Sequence, residues 1–202
     1  MADITFFTNP QSRGRIVRWM LEELGEQYDT VLLEFGASMK SPTYLAVNPM
    51  GKVPAIRHRG AVVTEAAAIC VYLADSFPGR KLAPPPADRA AYYRWIFFAA
   101  GPLEAALTGK ALGFSSDKKQ MLGYGSYEDT VNALELAVSA GPFICGDRFT
   151  AADVYVGSQV AWGMMFGTLE KRPAFEAYSA RLRERPAARR AHELDEAAAK
   201  KG

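Results

Sequence analysis

Apolar positions in the first third of the chain follow two alternating periods. Ile4, Phe6 and Phe7 lie in a short run that predicts a strand, and Asn9-Pro10 after it predicts a turn. Val17, Leu21 and Leu24 then recur at helical spacing within a helix predicted from about Arg13 to Leu24. On its polar side Arg18 and Glu22 stand at the i,i+4 spacing of an ion pair. Gly25 follows as the helix terminator. Tyr28–Leu33 predicts a second strand, and Pro54–Arg57 and Ala61–Thr64 two more, joined by a tight turn at Arg59-Gly60. The alanine-rich stretch Glu65–Phe77 predicts a helix ended by Pro78-Gly79. A helix between two strands implies a parallel crossover, and two strands on a tight turn pair antiparallel. The segment therefore reads as a small mixed sheet with helices packed on it.

The pattern changes across residues 79–87, where Pro84, Pro85 and Pro86 remove backbone donors and disfavour helix. Beyond them nearly everything has helical period. Asp88–Leu112 is one candidate, with a bend expected at Gly101-Pro102, and Tyr127–Ala140 is another, stopped by Gly141-Pro142. Thr150-Ala151-Ala152-Asp153 resembles a capping box and opens the uncharged run Val154–Leu169, which predicts a helix in the middle of a bundle. Pro173–Glu184 and Pro186–Lys200 complete the set.

Composition narrows the classes of function. The 202 residues are 49% hydrophobic and 23% charged, as in soluble globular proteins. The net charge is +2, from 24 basic and 22 acidic residues, which gives no ground for a nucleic-acid or membrane partner. Cys70 and Cys145 are far apart and no Cys/His cluster accompanies them, so neither a disulfide framework nor a metal is expected. The leading residues MADITFF lack the basic and apolar regions of a signal peptide, and the uncharged run falls short of the roughly 20 apolar residues of a membrane span. A cytoplasmic location is expected.

Specific chemistry enters with Asn48-Pro49-Met50-Gly51-Lys52-Val53-Pro54-Ala55-Ile56, followed by Glu65-Ala66-Ala67-Ala68-Ile69. Together with the N-terminal strand–turn–helix, the Pro-rich linker and Phe149-Thr150-Ala151-Ala152-Asp153, these motifs resemble the cytosolic glutathione transferase family over essentially the whole chain. Whether the subclass is a bacterial serine type or beta-, nu- or theta-like stays open. The resemblance implies a thioredoxin-like α/β domain over residues 1–78, a mixed four-stranded sheet with flanking helices. It also implies a linker over 79–87 and an all-α domain over 88–202 that carries the hydrophobic substrate site. The implied activity is conjugation of the glutathione thiolate to small hydrophobic electrophiles, by a homodimer that uses glutathione as co-substrate and no metal. A glutathione-dependent peroxidase, disulfide reductase or isomerase on the same fold is an alternative, and so is a non-catalytic binding or scaffold protein.

The same resemblance assigns roles residue by residue. The Val53–Pro54 bond is implied to be cis, with the backbone of Val53 pairing the cysteinyl unit of glutathione; a plain turn at an edge strand is the other reading. Glu65, at a helix start where unpaired N–H groups attract a carboxylate, is placed near the ligand's amino group, or serves only as a first-turn glutamate. Ala66 departs from the family's hydroxyl residue, which removes one bond to the γ-glutamyl carboxylate. Lys52 and Lys40 are candidates for the glycine carboxylate, or are solvated charges. Ser12 is the candidate for activating the thiol, with Asn9 and Thr8 as fallback donors and Arg15 as an electrostatic aid; as a bare sequence feature Ser12 is equally a helix cap. Arg13, Arg15 and Arg18 form a cluster that either steers an anion or is a solvated helix face. Tyr93, Phe97, Phe98, Trp162, Met165 and Phe166 either line the electrophile site or belong to the core. His58, His192 and Cys70 are expected to be structural or surface residues.

Overall fold

The computed structural model describes residues 2–200. Contacts divide the chain into two compact units: the residues up to Arg80 together with those from Glu184 onwards, and Lys81–Arg183.

The first unit is built from β1 (Ile4–Thr8), α1 (Gly14–Leu24), β2 (Tyr28–Leu32), the single turn α2 (Pro42–Leu45), β3 (Ala55–His58), β4 (Ala61–Thr64) and α3 (Ala66–Ser76). The strands run in the order β2-β1-β3-β4. β1 is parallel to β2 and antiparallel to β3, and β3 is antiparallel to β4. This is a thioredoxin-like mixed sheet. The two-residue period sends Ile4, Phe6 and Thr8 of β1 and Ile56 and His58 of β3 to one buried face, covered by α1 and α3. On the other face Phe7 and Ala55 pack with Leu33, Met39, Tyr44 and Val47 from the connection between β2 and β3. Gly25 ends α1 at φ 65°, as expected.

The second unit is helical: α4 (Ala90–Phe98), α5 (Glu104–Ala111), α6 (Tyr127–Ser139), α7 (Ala151–Phe166) and α8 (Pro173–Arg183). The bend expected at Gly101-Pro102 is a π-helical turn over Ala99–Leu103 with Pro102, which has no N–H to give, inside it. The capping box at α7 is formed: Asp153 Oδ2 accepts the Thr150 N–H at 2.8 Å, and Thr150 Oγ1 accepts the Ala152 N–H. Asp153 Oδ1 also accepts from Ile144 N–H at 2.8 Å and Tyr178 O–H at 2.9 Å. Every residue of α7 from Ala151 to Val160 is buried, as expected of a central helix, between α4 and α8.

The last helix, α9 (Pro186–Ala199), runs along α1 and so groups with the sheet-bearing unit, although sequence pattern alone counts it with the helical domain. Ion pairs among the described residues hold it there: Arg15–Glu196 at 2.7 Å, Arg18–Asp195 at 2.8 Å, Glu22–Arg190 at 3.1 Å and Glu23–Arg185 at 2.7 Å. The i,i+4 pair expected between Arg18 and Glu22 does not form. Arg18 turns inward to Asp195, and Glu22 takes Arg190 and the hydroxyl of Tyr28.

Candidate functional site

Sheet register gathers the candidate residues. Ala55, first in β3, pairs with Phe7 near the end of β1 and with Thr64 at the end of β4. The residues after β1, before β3 and after β4 therefore meet at one end of the sheet. α3 begins directly beyond that end, and the turn into α1 leaves from it. Asn9, Ser12, Val53, Pro54, Glu65 and Ala66 are brought together in this way.

The segment before β3 is shaped by two side chains with no role assigned from sequence. The carbonyl of Lys52 accepts the Tyr44 hydroxyl at 2.6 Å and the Asn48 side-chain amide at 2.8 Å. In a trans peptide the next N–H points the opposite way, so the Val53 N–H faces away from Tyr44 and Asn48. The Val53–Pro54 bond is cis. Among the described residues neither the N–H nor the carbonyl of half-buried Val53 has a hydrogen-bond partner. Burial pushes the Tyr44 phenol up to about 12, so it stays a donor through the neutral range. The Asn48–Gly51 turn closes tightly: Gly51 has φ 57°, and a Cβ there would lie 2.7 Å from the Met39 carbonyl. Lys40 Nζ donates to the Met50 carbonyl at 2.9 Å, while the Lys52 side chain is exposed.

Glu65 precedes α3 with φ 66° and ψ 117°, and its exposed carboxylate does not cap the helix. The first bond back to Glu65 comes from the Ile69 N–H at 2.9 Å. The N–H groups of Ala66, Ala67 and Ala68 therefore open off the helix end, where the dipole favours an anion. Ala66 is buried and brings no hydroxyl to that end.

The turn into α1 is a closed hydrogen-bond cycle. The Asn9 carbonyl accepts from Ser12 N–H at 3.1 Å and from Ser12 O–H at 2.7 Å, and Ser12 Oγ accepts the Gly14 N–H at 2.9 Å. Ser12 thus does the work of a cap, with its one proton on Asn9. The Asn9 side chain accepts the Gln11 N–H at 2.8 Å and donates to the Leu33 carbonyl at 2.8 Å, which among the described residues leaves its second amide proton uncommitted. Gly14 is required by close approach, because a Cβ there would fall 1.9 Å from Thr8 Oγ1. Arg15 donates through Nε to the Pro10 carbonyl at 2.5 Å and pairs with Glu196. Arg18 is buried against Asp195 and the rings of Phe6 and Tyr28. Of the expected basic cluster, Arg15 and Arg18 are therefore paired with carboxylates of α9.

The remaining reactive groups lie outside this site. Cys70 is fully buried and burial pushes its thiol up to about 12; Cys145 is pushed up to about 11 by burial and then by Asp153. His58 is buried, with Nδ1 3.0 Å from the Tyr72 hydroxyl. No cluster of three or more metal-ligating side chains occurs among the described residues, and no helix there is long and apolar enough to cross a membrane.

The family described as glutathione S-transferase, N-terminal domain, matches residues 12–76. The chain is 32% identical over 147 residues to glutathione S-transferase GstA of Escherichia coli O157:H7, covering 71% of this chain and 73% of that one. It is also 32% identical over 183 residues to glutathione S-transferase A of Pleuronectes platessa, covering 83% of this chain and 80% of that one. The chain belongs to the glutathione S-transferase family. A sphingomonad glutathione S-transferase, solved in complex with glutathione, matches with a TM-score of 0.77 at 27% identity, over 95% of this chain and 98% of that one. The sequence shows the transferase-family motifs at the sheet end and the helix α9, but not the role of Tyr44 or the docking of α9 on α1. Tyr44 lies in a single helical turn with no distinctive pattern, and α9 reaches the site by contacts between residues far apart in sequence.

Proposed function

We propose that the protein is a glutathione transferase that joins the glutathione sulfur to small hydrophobic electrophiles. One observation carries the reading: the unbonded N–H and carbonyl of Val53, at the sheet end where α3 opens its first N–H groups. An extended peptide adds to such a backbone pair as a further strand would. A γ-glutamyl carboxylate then meets the N–H groups of Ala66 and Ala67, Glu65 receives the ammonium, and Lys52 and Lys40 supply charge for the glycine carboxylate. The cysteinyl sulfur turns toward the Asn9–Ser12 turn. The free amide proton of Asn9 is one donor for the thiolate. The Ser12 hydroxyl is the other, once it rotates off the Asn9 carbonyl.

In the reaction the thiolate forms a carbon–sulfur bond, the leaving group departs with the bonding pair, and the thiol proton goes to solvent. Lowering a thiol pKa from about 8.5 by about 2 raises the ionised fraction roughly 25-fold at neutral pH. It also weakens each thiolate about eightfold. The net gain is a few-fold, so holding the electrophile beside the sulfur must supply most of the acceleration. Membership of the family also supports a cytoplasmic homodimer; light scattering at twice the chain mass checks the second part.

Calorimetric titration with glutathione, followed by rates with an aryl halide, an organic peroxide and a mixed disulfide, tests the proposal. Binding with the aryl halide turned over fastest is the expected result. Faster turnover of the peroxide or disulfide selects the alternative reactions, and absence of binding selects a scaffold. Asn9→Ala is expected to lower conjugation more than Ser12→Ala, because the serine proton is already engaged within the turn.

A further inference from the structure

The geometry points to Glu196 of α9 as a positioning residue for the sulfur-binding turn: through Arg15 it holds the Asn9–Ser12 turn in the shape that presents its donors. This rests on the transferase reading. Arg15 bridges the turn and α9 through two nitrogens of one guanidinium. Its Nε donates to the Pro10 carbonyl, inside the turn, and its Nη2 lies 2.7 Å from Glu196 Oε1. The guanidinium is planar and rigid, so fixing Nη2 on Glu196 orients Nε as well. Removing Glu196 frees Nη2 to follow solvent and loosens the hold of Nε on Pro10.

Exposed ion pairs usually contribute little because both side chains must first be ordered. Here the ordering is done by neighbours. Asp195, one residue earlier, is buried in its pair with Arg18, and Arg185 at the start of α9 grips Glu23 with both Nε and Nη2. Glu196 is thus presented on a helix already fixed on α1. The charge pattern suits this placement. α1 carries Arg15 and Arg18 toward its start and Glu22 and Glu23 toward its end, and α9 offers Glu196, Asp195, Arg190 and Arg185 in the matching antiparallel order.

Full-length Glu196→Gln, Glu196→Asp and the surface control Glu193→Gln separate the possibilities. The expected result for Glu196→Gln is a fall of about fivefold in kcat with the aryl halide, the scale of one ordered surface pair, with glutathione affinity within about twofold of wild type. Amide hydrogen exchange at Ser12 and Gly14 should quicken by a similar factor, while Leu21 in mid-helix is unchanged. Glu196→Asp should recover part of both effects, and Glu193→Gln should show neither. Arg15→Gln should lose at least as much as Glu196→Gln, and the double variant no more than Arg15→Gln alone. Unchanged exchange and kcat in Glu196→Gln overturn the proposal. A rise in kcat with a lower thiol pKa also overturns it, because Glu196 would then be masking a direct effect of Arg15 on the thiolate. If wild type binds no glutathione, the transferase reading fails and takes the catalytic role with it. Exchange at Ser12 and Gly14 then still reports whether Glu196 orders the turn.

Discussion

At position 66 one missing hydroxyl limits how firmly the start of α3 can hold a carboxylate. The backbone N–H groups of Ala66, Ala67 and Ala68 supply direction and partial charge, but a serine would add a donor to an ionised acceptor. Such a bond contributes about 1.5–3 kcal/mol when the partner is charged. Ala66→Ser is therefore expected to tighten glutathione binding by about tenfold or more, read by calorimetry against wild type. Unchanged affinity would mean that the carboxylate does not approach this helix end. The absence of the hydroxyl is legible in the sequence, since it is a property of one letter in a motif. The state of Ser12 is not. A serine before a helix looks the same whether it caps the turn or meets a ligand, and only the 2.7 Å bond to the Asn9 carbonyl separates the two.

α9 shows the corresponding limit at the scale of an element. Its existence follows from helical period and from Pro186 at its first position. Its docking does not, because Arg18 offers Glu22 at ideal helical spacing and takes Asp195 instead. Local pairing on a solvated face gains only a few tenths of a kcal/mol, roughly 0.3–0.5, whereas packing α9 on α1 buries Ala187 and Ala191 and satisfies Arg18 inside. Both members of the Arg18–Asp195 pair are nearly inaccessible, at 5% and 1% side-chain exposure. Removing one leaves the other buried and unpaired. Asp195→Ala is expected to cost about 3–5 kcal/mol in a denaturant titration. Arg18→Met combined with Asp195→Leu should recover much of that loss, since neither leaves a stranded charge. A double variant as unstable as the single one would assign the pair a net stabilising role beyond mutual neutralisation.

For the molecule as a whole, these buried polar groups set how stability depends on pH. His58 sits under the sheet at 1% exposure, with its ring stacked on Phe77 at 5.4 Å and its Nε2 buried without a partner among the described residues. Burial, and then the charge of Arg59, hold it below its ordinary value of 6.5. The unfolded chain takes up a proton near 6.5, while the folded protein refuses it until a lower pH. The unfolded state thus binds more protons in that interval, and folding is weakened as pH falls through it. Asp153 and Asp195 act in the opposite sense. Burial raises both carboxyls, so the folded state takes up protons first, and stability rises as pH falls from their raised values toward 3.8. On acidification the melting temperature should therefore fall through the histidine interval, and these two carboxyls should oppose further loss nearer their own range. His58→Gln removes the first contribution and leaves the second. Its melting temperature should fall less than that of wild type between about pH 7 and about pH 5, although it starts lower for want of the ring stacked on Phe77. Equal slopes for the two proteins would mean that His58 accepts its proton in the folded state as readily as in the unfolded chain.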